Sequence, residues 1–277
     1  MRAPTLAEAR ERALLLVKRS LQSRESGEEV QAVRALGKSH DNDYRSLLEP
    51  LLRDAPSGVI AAAARGLAEI SAVESQGALL AVLDKSQDPT VRMEAAAALA
   101  QLAHPKGLEV LRAQLQSGDA TTKPEAALRL LEFGDRSGAA FLHKLMEGAG
   151  SGLGAGDERQ LPVLAALARA GDPQALQLLA QRFQAAHAAG KMEPLLAFSM
   201  AQLGEPAARS ELLQLASQTG PEQLIAARFL SALGHSDGYG VLLAAGADGK
   251  IPERQREVAF DGLGDAGQTG AAGMLAR

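Results

Sequence analysis

Apolar and polar positions along the chain follow a helical period within short segments. Between residues 88 and 116 a first apolar stripe consists of Val91, Ala95, Leu99 and Leu102. After a break at residues 103–105, a second stripe consists of Leu108, Leu111 and Leu115. Because neighbours on one helix face recur every three or four residues, the pattern predicts two amphipathic helices joined by a short turn. The unit is a helical hairpin.

The hairpin pattern recurs along most of the chain. One apolar residue marks the same phase in each of eight segments: Val33, Leu67, Leu99, Leu130, Leu167, Met200, Leu230 and Phe260. Repeats of about thirty residues that persist along a chain are typical of stacked-repeat proteins. No segment alternates apolar and polar residues over the length of a strand, so the sequence predicts no sheet. We therefore predict an all-α fold, a right-handed α-solenoid of about eight helical hairpins.

Glycines predict where the first helix of many hairpins ends. In six of the eight segments a glycine follows the marker residue by four positions: Gly37, Gly134, Gly171, Gly204, Gly234 and Gly264. Glycine adopts the left-handed conformation at little steric cost and often follows the end of a helix. Asp172-Pro173 and Glu205-Pro206 come next in two hairpins, where an acidic cap and a proline suit the start of a second helix.

The clearest repeat resembles a known family. Its first helix reads Asp88-Pro89-Thr90-Val91-Arg92, followed by Glu94 and an alanine-rich run to Leu99. This segment is similar to the short bacterial HEAT repeat, the type found in phycobilisome lyase subunits, and the likeness covers roughly residues 27–277. An armadillo repeat would need a third helix, and a TPR would need a Trp/Tyr/Pro signature with a period of about 34 residues. The sequence shows neither feature, so both repeat types fit less well than the HEAT repeat. The resemblance implies a helical repeat scaffold.

Three segments depart from the repeat. Residues 1–26 contain an amphipathic segment, Thr5–Leu21, which we expect to form a capping helix over the first hairpin. Residues 148–158 are rich in glycine and predict a loop between the fourth and fifth hairpins of one solenoid that spans residues 1–277. Thr269–Ala276 is too short for a full second helix, so we expect this C-terminal edge to continue into further chain or to self-associate.

Composition narrows the class of function. The formal net charge is −4, and no Lys/Arg stripe of the kind used for nucleic-acid binding is evident. The chain has no cysteine, which excludes disulfides and cysteine metal sites. The apolar run Ala13–Val17 is flanked by charges and is far shorter than a membrane span, so we expect no signal peptide and a soluble, cytoplasmic protein.

Candidate catalytic chemistry is sparse in the sequence. The five histidines are far apart, and none has a histidine four residues away as a helical metal site requires: His40, His104, His143, His187 and His235. A HEAT-like hydroxylase would show repeated His-Glu pairs, and a HEAT-like DNA-repair enzyme would show an aromatic, basic cleft. The sequence has neither pattern, which disfavours both classes of enzyme. The glycine-rich loop lacks the strand and third glycine of a phosphate-binding loop. We expect no catalytic residue, cofactor or metal, and a turn or capping role for His104 and His235.

The second helices supply the candidate binding surface. The position after their central leucine forms an inner row: Glu49, Leu80, Arg112, His143 and Leu213. One helical turn further lies an outer row: Asp84, Gln116, Glu147 and Gln184. We call the two rows together the ridge, and we predict that it binds a partner protein; the alternative for its leucines is simple packing. The function expected is a non-catalytic scaffold or adaptor, and the alternative is a subunit of a chromophore lyase or other protein-modifying enzyme.

Overall fold

The structure of the chain is a computed structural model. It describes residues 26–38, 40–119, 121–147, 160–247, 250–252, 255, 258–259 and 261–262. The chain divides into two compact units, of which unit 1 ends at Gly138 and unit 2 begins at Ala139. The predicted capping helix Thr5–Leu21, the glycine-rich loop 148–158 and the C-terminal edge lie outside the described residues. A single solenoid over the whole chain stays a prediction.

Helices make up most of the described chain, and no strand occurs in these residues. In unit 1 they are α1 (Ser26–Lys38), α2 (Arg45–Leu48), α3 (Leu51–Asp54), α4 (Ser57–Glu69), α5 (Gln76–Lys85), α6 (Pro89–Gln101), α7 (Pro105–Ser117) and α8 (Thr122–Glu132). In unit 2 they are α9 (Ala139–Glu147), α10 (Gln160–Arg169), α11 (Pro173–Ala189), α12 (Pro194–Gln202), α13 (Pro206–Ser217), α14 (Gln223–Ala232) and α15 (Tyr239–Ala247). The all-α prediction is confirmed.

Helical hairpins stack within each unit. In unit 1, α1 packs on α4 and α4 on α6, while α6 pairs with α7 as a hairpin. In unit 2, α10, α12 and α14 pack in the same order, and each pairs with the helix that follows it. The first helices are therefore neighbours in each stack, and their alanine-rich faces let them lie close together.

The start of α6 shows how a repeat is specified locally. The carboxylate of Asp88 accepts hydrogen bonds from the amides of Thr90 (2.9 Å) and Val91 (3.3 Å), and Pro89 occupies the first turn. The guanidinium of Arg92 donates to the carbonyl oxygens of Leu83 and Ser86 at the end of α5. The Asp-Pro-x-Val-Arg sequence thus caps its own helix and satisfies the last carbonyls of the preceding helix.

The turns inside the hairpins repeat one hydrogen-bond pattern. The amide after the turn donates to the carbonyl of the marker residue, as from Asp172 to Leu167 (3.0 Å) and from His235 to Leu230 (2.9 Å). The residue before that amide has a positive φ, which closes the helix in a Schellman-type turn. Positive φ is found at Gly134, Gly171, Gly204, Gly234, Ser71 and Ala103. The first four confirm the predicted helix ends, and Gly264 lies outside the described residues.

Gly37 departs from this pattern. It lies inside α1, and the positive φ of that turn belongs to His40 instead. A Cβ atom on Gly37 would lie 2.6 Å from the Cα of Gly66 on α4. The prediction that Gly37 ends the first helix is wrong, because this glycine serves the close approach of two helices.

Ala103 and Gly204 offer a test of these turns. Ala103 has φ 59° and Gly204 has φ 86° with no atom within 4 Å of a built Cβ, so backbone conformation decides both substitutions. Ala103→Gly should raise the free energy of unfolding by about 0.5–1 kcal/mol, and Gly204→Ala should lower it by about 1–2 kcal/mol. Urea unfolding of both variants provides the check. Equal effects of one sign would contradict the assigned turn geometry.

A column of small residues lies at the start of the second helices or in the turn just before them. Three positions after the residue whose amide closes each turn, the chain has a small, buried residue: Ser75, Gly107, Gly138, Ala175, Ala208 and Gly238. At Gly138 a Cβ atom would lie 2.6 Å from the carbonyl oxygen of Ala127 on α8. Gly138 ends the turn that follows α8, so the backbone of this turn meets the backbone of α8 and leaves no room for a side chain at this position.

The apolar core of each unit is formed by buried side chains of both the first and the second helices. In unit 1 it includes the fully buried leucines Leu48, Leu67, Leu79, Leu99, Leu111 and Leu130. In unit 2 the corresponding residues include Leu142, Leu164, Leu167, Leu179, Leu212 and Leu230, with Phe183 equally buried. The seven marker residues that the structure describes are thus core residues, as the sequence predicts, and Phe260 lies outside the described residues.

Candidate interaction surface

Arg112 of the inner row binds the next turn of its own unit. Its Nε donates to Oδ2 of Asp135 at 2.6 Å, from α7 to the turn that follows α8. Asp135 also accepts a hydrogen bond from the amide of Ser137 at 2.8 Å. Partial burial acts to raise the pKa of Asp135, but the hydrogen bonds from Ser137 and then Arg112 hold that pKa below its ordinary value. Arg112 thus supports the turn of the following repeat.

His143 makes the equivalent contact in unit 2. Its Nε2 lies 2.8 Å from Oδ2 of Asp172, so α9 is joined to the N-terminus of α11. Oδ1 of Asp172 accepts a hydrogen bond from the amide of Ala175 at 2.8 Å and caps α11. One carboxylate therefore caps its own helix and binds the preceding hairpin.

Glu49 plays the same part at the first hairpin. Its Oε2 accepts a hydrogen bond from the hydroxyl of Ser75 at 2.7 Å and lies 3.3 Å from Nη1 of Arg45. Ser75 is fully buried in the turn before α5. Three polar members of the inner row thus connect one hairpin to the next turn, a use that the sequence analysis missed. The sequence signal is an acidic or hydroxyl residue at the turn about 23–29 residues later.

The leucines of the inner row are partly buried. Leu80 packs against the core of unit 1, and Leu213 is half-buried on α13. For Leu80 the packing alternative is therefore supported.

The outer row is different, because its described side chains point to solvent. Asp84, Gln116 and Gln184 are exposed on α5, α7 and α11. Within the described ranges these three side chains form no hydrogen bond or ion pair. The backbone of Glu147 ends α9, and its side chain lies outside the described residues. The structure thus separates the ridge into an inner row engaged in the fold and an outer row whose described side chains are exposed.

The Asp172 carboxylate makes the stability of unit 2 depend on pH. Partial burial acts to raise its pKa, but hydrogen bonds from Ala175 and then His143 hold the pKa below its ordinary value. A carboxylate with a lowered folded-state pKa stabilises the fold above its unfolded pKa of about 3.9, and that contribution disappears as the pH falls through the folded-state value. The Asp172→Asn variant should therefore be less stable than the wild type at pH 5, with a difference that shrinks by pH 2.5. Urea unfolding at both pH values checks this, and a constant difference would contradict it.

The described residues contain no group of three or more His, Asp or Glu side chains that could hold a metal ion. A groove between α6 and α7 has a volume of about 190 Å³ and is lined by Gln87, Pro89, Arg92, Met93, Ala96, Val110, Leu111 and Gln114. Ligand pockets usually enclose about 300–1,000 Å³, so this groove is small for a substrate.

The remaining histidines serve turns and helix contacts. Nδ1 of His104 accepts a hydrogen bond from the amide of Lys106 at 3.2 Å and caps α7, so its predicted capping role is confirmed. His235 occupies the matching turn position, where its side chain makes no capping hydrogen bond. Nδ1 of His187 on α11 lies 2.5 Å from Oε1 of Glu211 on α13.

Comparison with known proteins agrees with this architecture. The family model for HEAT repeats matches residues 76–151. This match includes the Asp88 to Leu99 segment and confirms the HEAT-repeat resemblance over that part of the chain. No curated protein is significantly similar to the chain in sequence.

Several solved chains are similar to this chain, and they include the following two. One is the complex of CpcE and CpcF of phycocyanin lyase from Nostoc sp. PCC7120, with a TM-score of 0.44 and 25% identity over 79% of this chain and 86% of that chain. The other is human deoxyhypusine hydroxylase in complex with glycerol, with a TM-score of 0.39 and 17% identity over 93% of this chain and 96% of that chain. Both TM-scores are below 0.5, so these similarities support no particular activity. None of the described helices has both the length and the apolar character of a membrane span.

Proposed function

We propose that this protein is a non-catalytic scaffold or adaptor that binds a partner protein through the outer row of the ridge. The observation that carries the proposal is the division of the ridge into two rows. Arg112 and His143 are committed to turns of the fold, whereas Asp84, Gln116 and Gln184 are exposed without intramolecular partners among the described residues.

The engaged inner row gives the outer row a fixed frame. Each inner contact joins a second helix to the next turn, which limits how the helices slide past one another within a unit. Side chains on such a frame are presented with little conformational freedom to lose on binding, and repeat proteins use extended surfaces of this kind. A partner would therefore gain affinity from many shallow contacts rather than from one pocket.

Charge substitutions in the outer row test the proposal. The protein and its Asp84→Arg/Gln116→Arg variant are each used for affinity purification from the native cell. We expect the wild type to recover one protein in a fixed molar ratio and the variant to recover at least about tenfold less of it, since like or unmatched charges oppose docking. Gln101→Arg is the matched control, because Gln101 is exposed on the first helix α6.

Both variants should keep the helical circular dichroism and the unfolding midpoint of the wild type, because the substituted side chains are exposed. Equal recovery by all three proteins would place the interface elsewhere and contradict the proposal. A change in visible absorbance on mixing the chain with a bilin-bearing protein would instead favour the chromophore lyase subunit.

A further inference from the structure

The first helices of unit 2 carry an apolar strip on their outer side. On α12, Leu195 and Phe198 lie one turn apart, and on α14, Ile225 and Phe229 do the same. Ile225 is 40% exposed, and the other three side chains are partly exposed. We call these four residues the strip. Most other residues of α12 are buried, so the strip is the face that this helix leaves uncovered.

An aromatic pair forms the middle of the strip. The rings of Phe198 and Phe229 stack with their centroids 4.4 Å apart and an interplanar angle of 11°. The chain has six phenylalanines in total and no tryptophan, so two of its few large aromatic side chains are placed at this surface. In unit 1 the first helices instead carry an ion-pair ladder, in which Arg65 and Arg129 both bind Glu94. Aromatic side chains that remain partly exposed beside apolar neighbours, as in unit 2, are typical of interaction sites.

A cation lies at one end of the strip. Gln202 follows Phe198 by one turn on α12, and its Oε1 accepts a hydrogen bond from Nη1 of Arg169 at 3.0 Å. Arg169 is exposed at the end of α10, and its partner among the described residues is this neutral amide rather than a carboxylate. The positive charge is therefore available to an external anion.

An anion lies at the opposite end. Glu222 precedes α14 and is exposed, and its side chain makes no capping hydrogen bond. It is three residues before Ile225 and seven before Phe229, which places all three on one side of the helix. Alongside the strip, Arg228 and Asp261 form an ion pair at 3.5 Å and so contribute little net charge.

We propose that the strip binds the same strip of a second copy of this chain. We place the two-fold axis in the plane of the interface, perpendicular to the long direction of the strip. This axis brings one end of each strip onto the opposite end of the other. Arg169 of each copy then faces Glu222 of the other, while the aromatic pairs cover each other. Each strip has a cation at one end, an apolar centre and an anion at the other end. Two strips in antiparallel alignment therefore pair opposite charges, whereas parallel alignment would pair like charges. This inference is separate from the proposed function, which concerns the second helices.

The size of the strip limits the strength of the dimer. Stable interfaces bury about 800 Å² on each partner, which is more than four side chains and two flanking charges provide. We therefore expect reversible association with a dissociation constant on the order of 10–100 µM, weakened at high salt because two exposed ion pairs contribute.

Sedimentation velocity of the full chain from about 5 to 500 µM tests the dimer. Arg169→Glu and Glu222→Arg should each raise the dissociation constant about fivefold or more, because each places like charges opposite one another. The double variant restores an attractive pair in the reverse order, and its dissociation constant should return to within about twofold of the wild type. Ile225→Glu should abolish dimerisation.

Matched controls keep the outcome clear. Met274→Glu with Leu275→Glu changes the C-terminal edge, outside the described residues, and should leave the dimer intact. Arg169, Glu222 and Ile225 are exposed, and helical circular dichroism verifies that each variant folds. A monomer at all concentrations, a double variant no better than the singles, or loss of the dimer in the C-terminal variant would each overturn the proposal. None of these results depends on the partner protein of the ridge.

Discussion

Leu99→Ala should lower the free energy of unfolding by about 2–5 kcal/mol. Leu99 is fully buried in the core of unit 1, and its carbonyl oxygen accepts a 2.8 Å hydrogen bond from the amide of His104 in the turn after α6. Removal of the side chain leaves a cavity between helices whose backbones are already closely packed, so the site can relax little. Urea unfolding followed by circular dichroism measures the change.

Arg112→Ala provides the comparison for that experiment. The Arg112 side chain is 53% exposed, and its ion pair with Asp135 joins a helix to a turn at the surface. Exposed ion pairs typically contribute about 0.2–1 kcal/mol, so the loss should be several times smaller than for Leu99→Ala. A larger loss of unfolding free energy for Arg112→Ala than for Leu99→Ala would contradict the placement of Leu99 in the core and of Arg112 at the surface.

Gly107→Ala should be the most damaging conservative substitution in the small-residue column. A Cβ atom there would lie 2.6 Å from the carbonyl oxygen of Ala96 and 2.8 Å from the Cα of Ala100. Both are backbone atoms of α6, so a helix must move to admit one methyl group. We expect a loss of about 2–3 kcal/mol in the free energy of unfolding despite the better helix propensity of alanine.

Gly77→Ala is the matched control for Gly107→Ala. Gly77 also lies in the first turn of a second helix, but no atom lies within 4 Å of a Cβ built on it. Its substitution should be neutral or stabilising by up to about 1 kcal/mol, because alanine loses less conformational entropy than glycine. A similar loss in both variants would show that the two helices do not meet closely at Gly107.

The sequence was sufficient to predict the helical hairpins and most of their turns. Marker residues such as Leu99 and Leu167 are fully or almost fully buried, and Gly171 and Gly204 take the positive φ that the turn requires. These features depend on neighbours within a few residues along the chain, so a local pattern reports them directly. The turns at Ser71 and Ala103 show that the hydrogen-bond pattern can impose the left-handed conformation without glycine.

The roles of the ridge residues could not be predicted in the same way. Arg112 and His143 looked like exposed helix residues, yet each binds an acidic turn residue more than twenty positions away. Such contacts depend on the offset between successive hairpins, which the period along the chain does not specify. The small column at Gly107 and Gly138 was missed for a related reason, since it reflects contact between two backbones rather than an apolar stripe.

The central claim is that the exposed outer row of the ridge binds a partner protein. Site-specific photo-cross-linking in the native cell tests it most directly, with p-benzoylphenylalanine in place of Gln116 and, as the control, in place of Gln101. Both positions are exposed, but Gln116 lies on the second helix α7 and Gln101 ends the first helix α6. We predict one cross-linked protein of defined mass from position 116 and none from position 101. No cross-link from position 116, or the same product from both positions, would contradict the account.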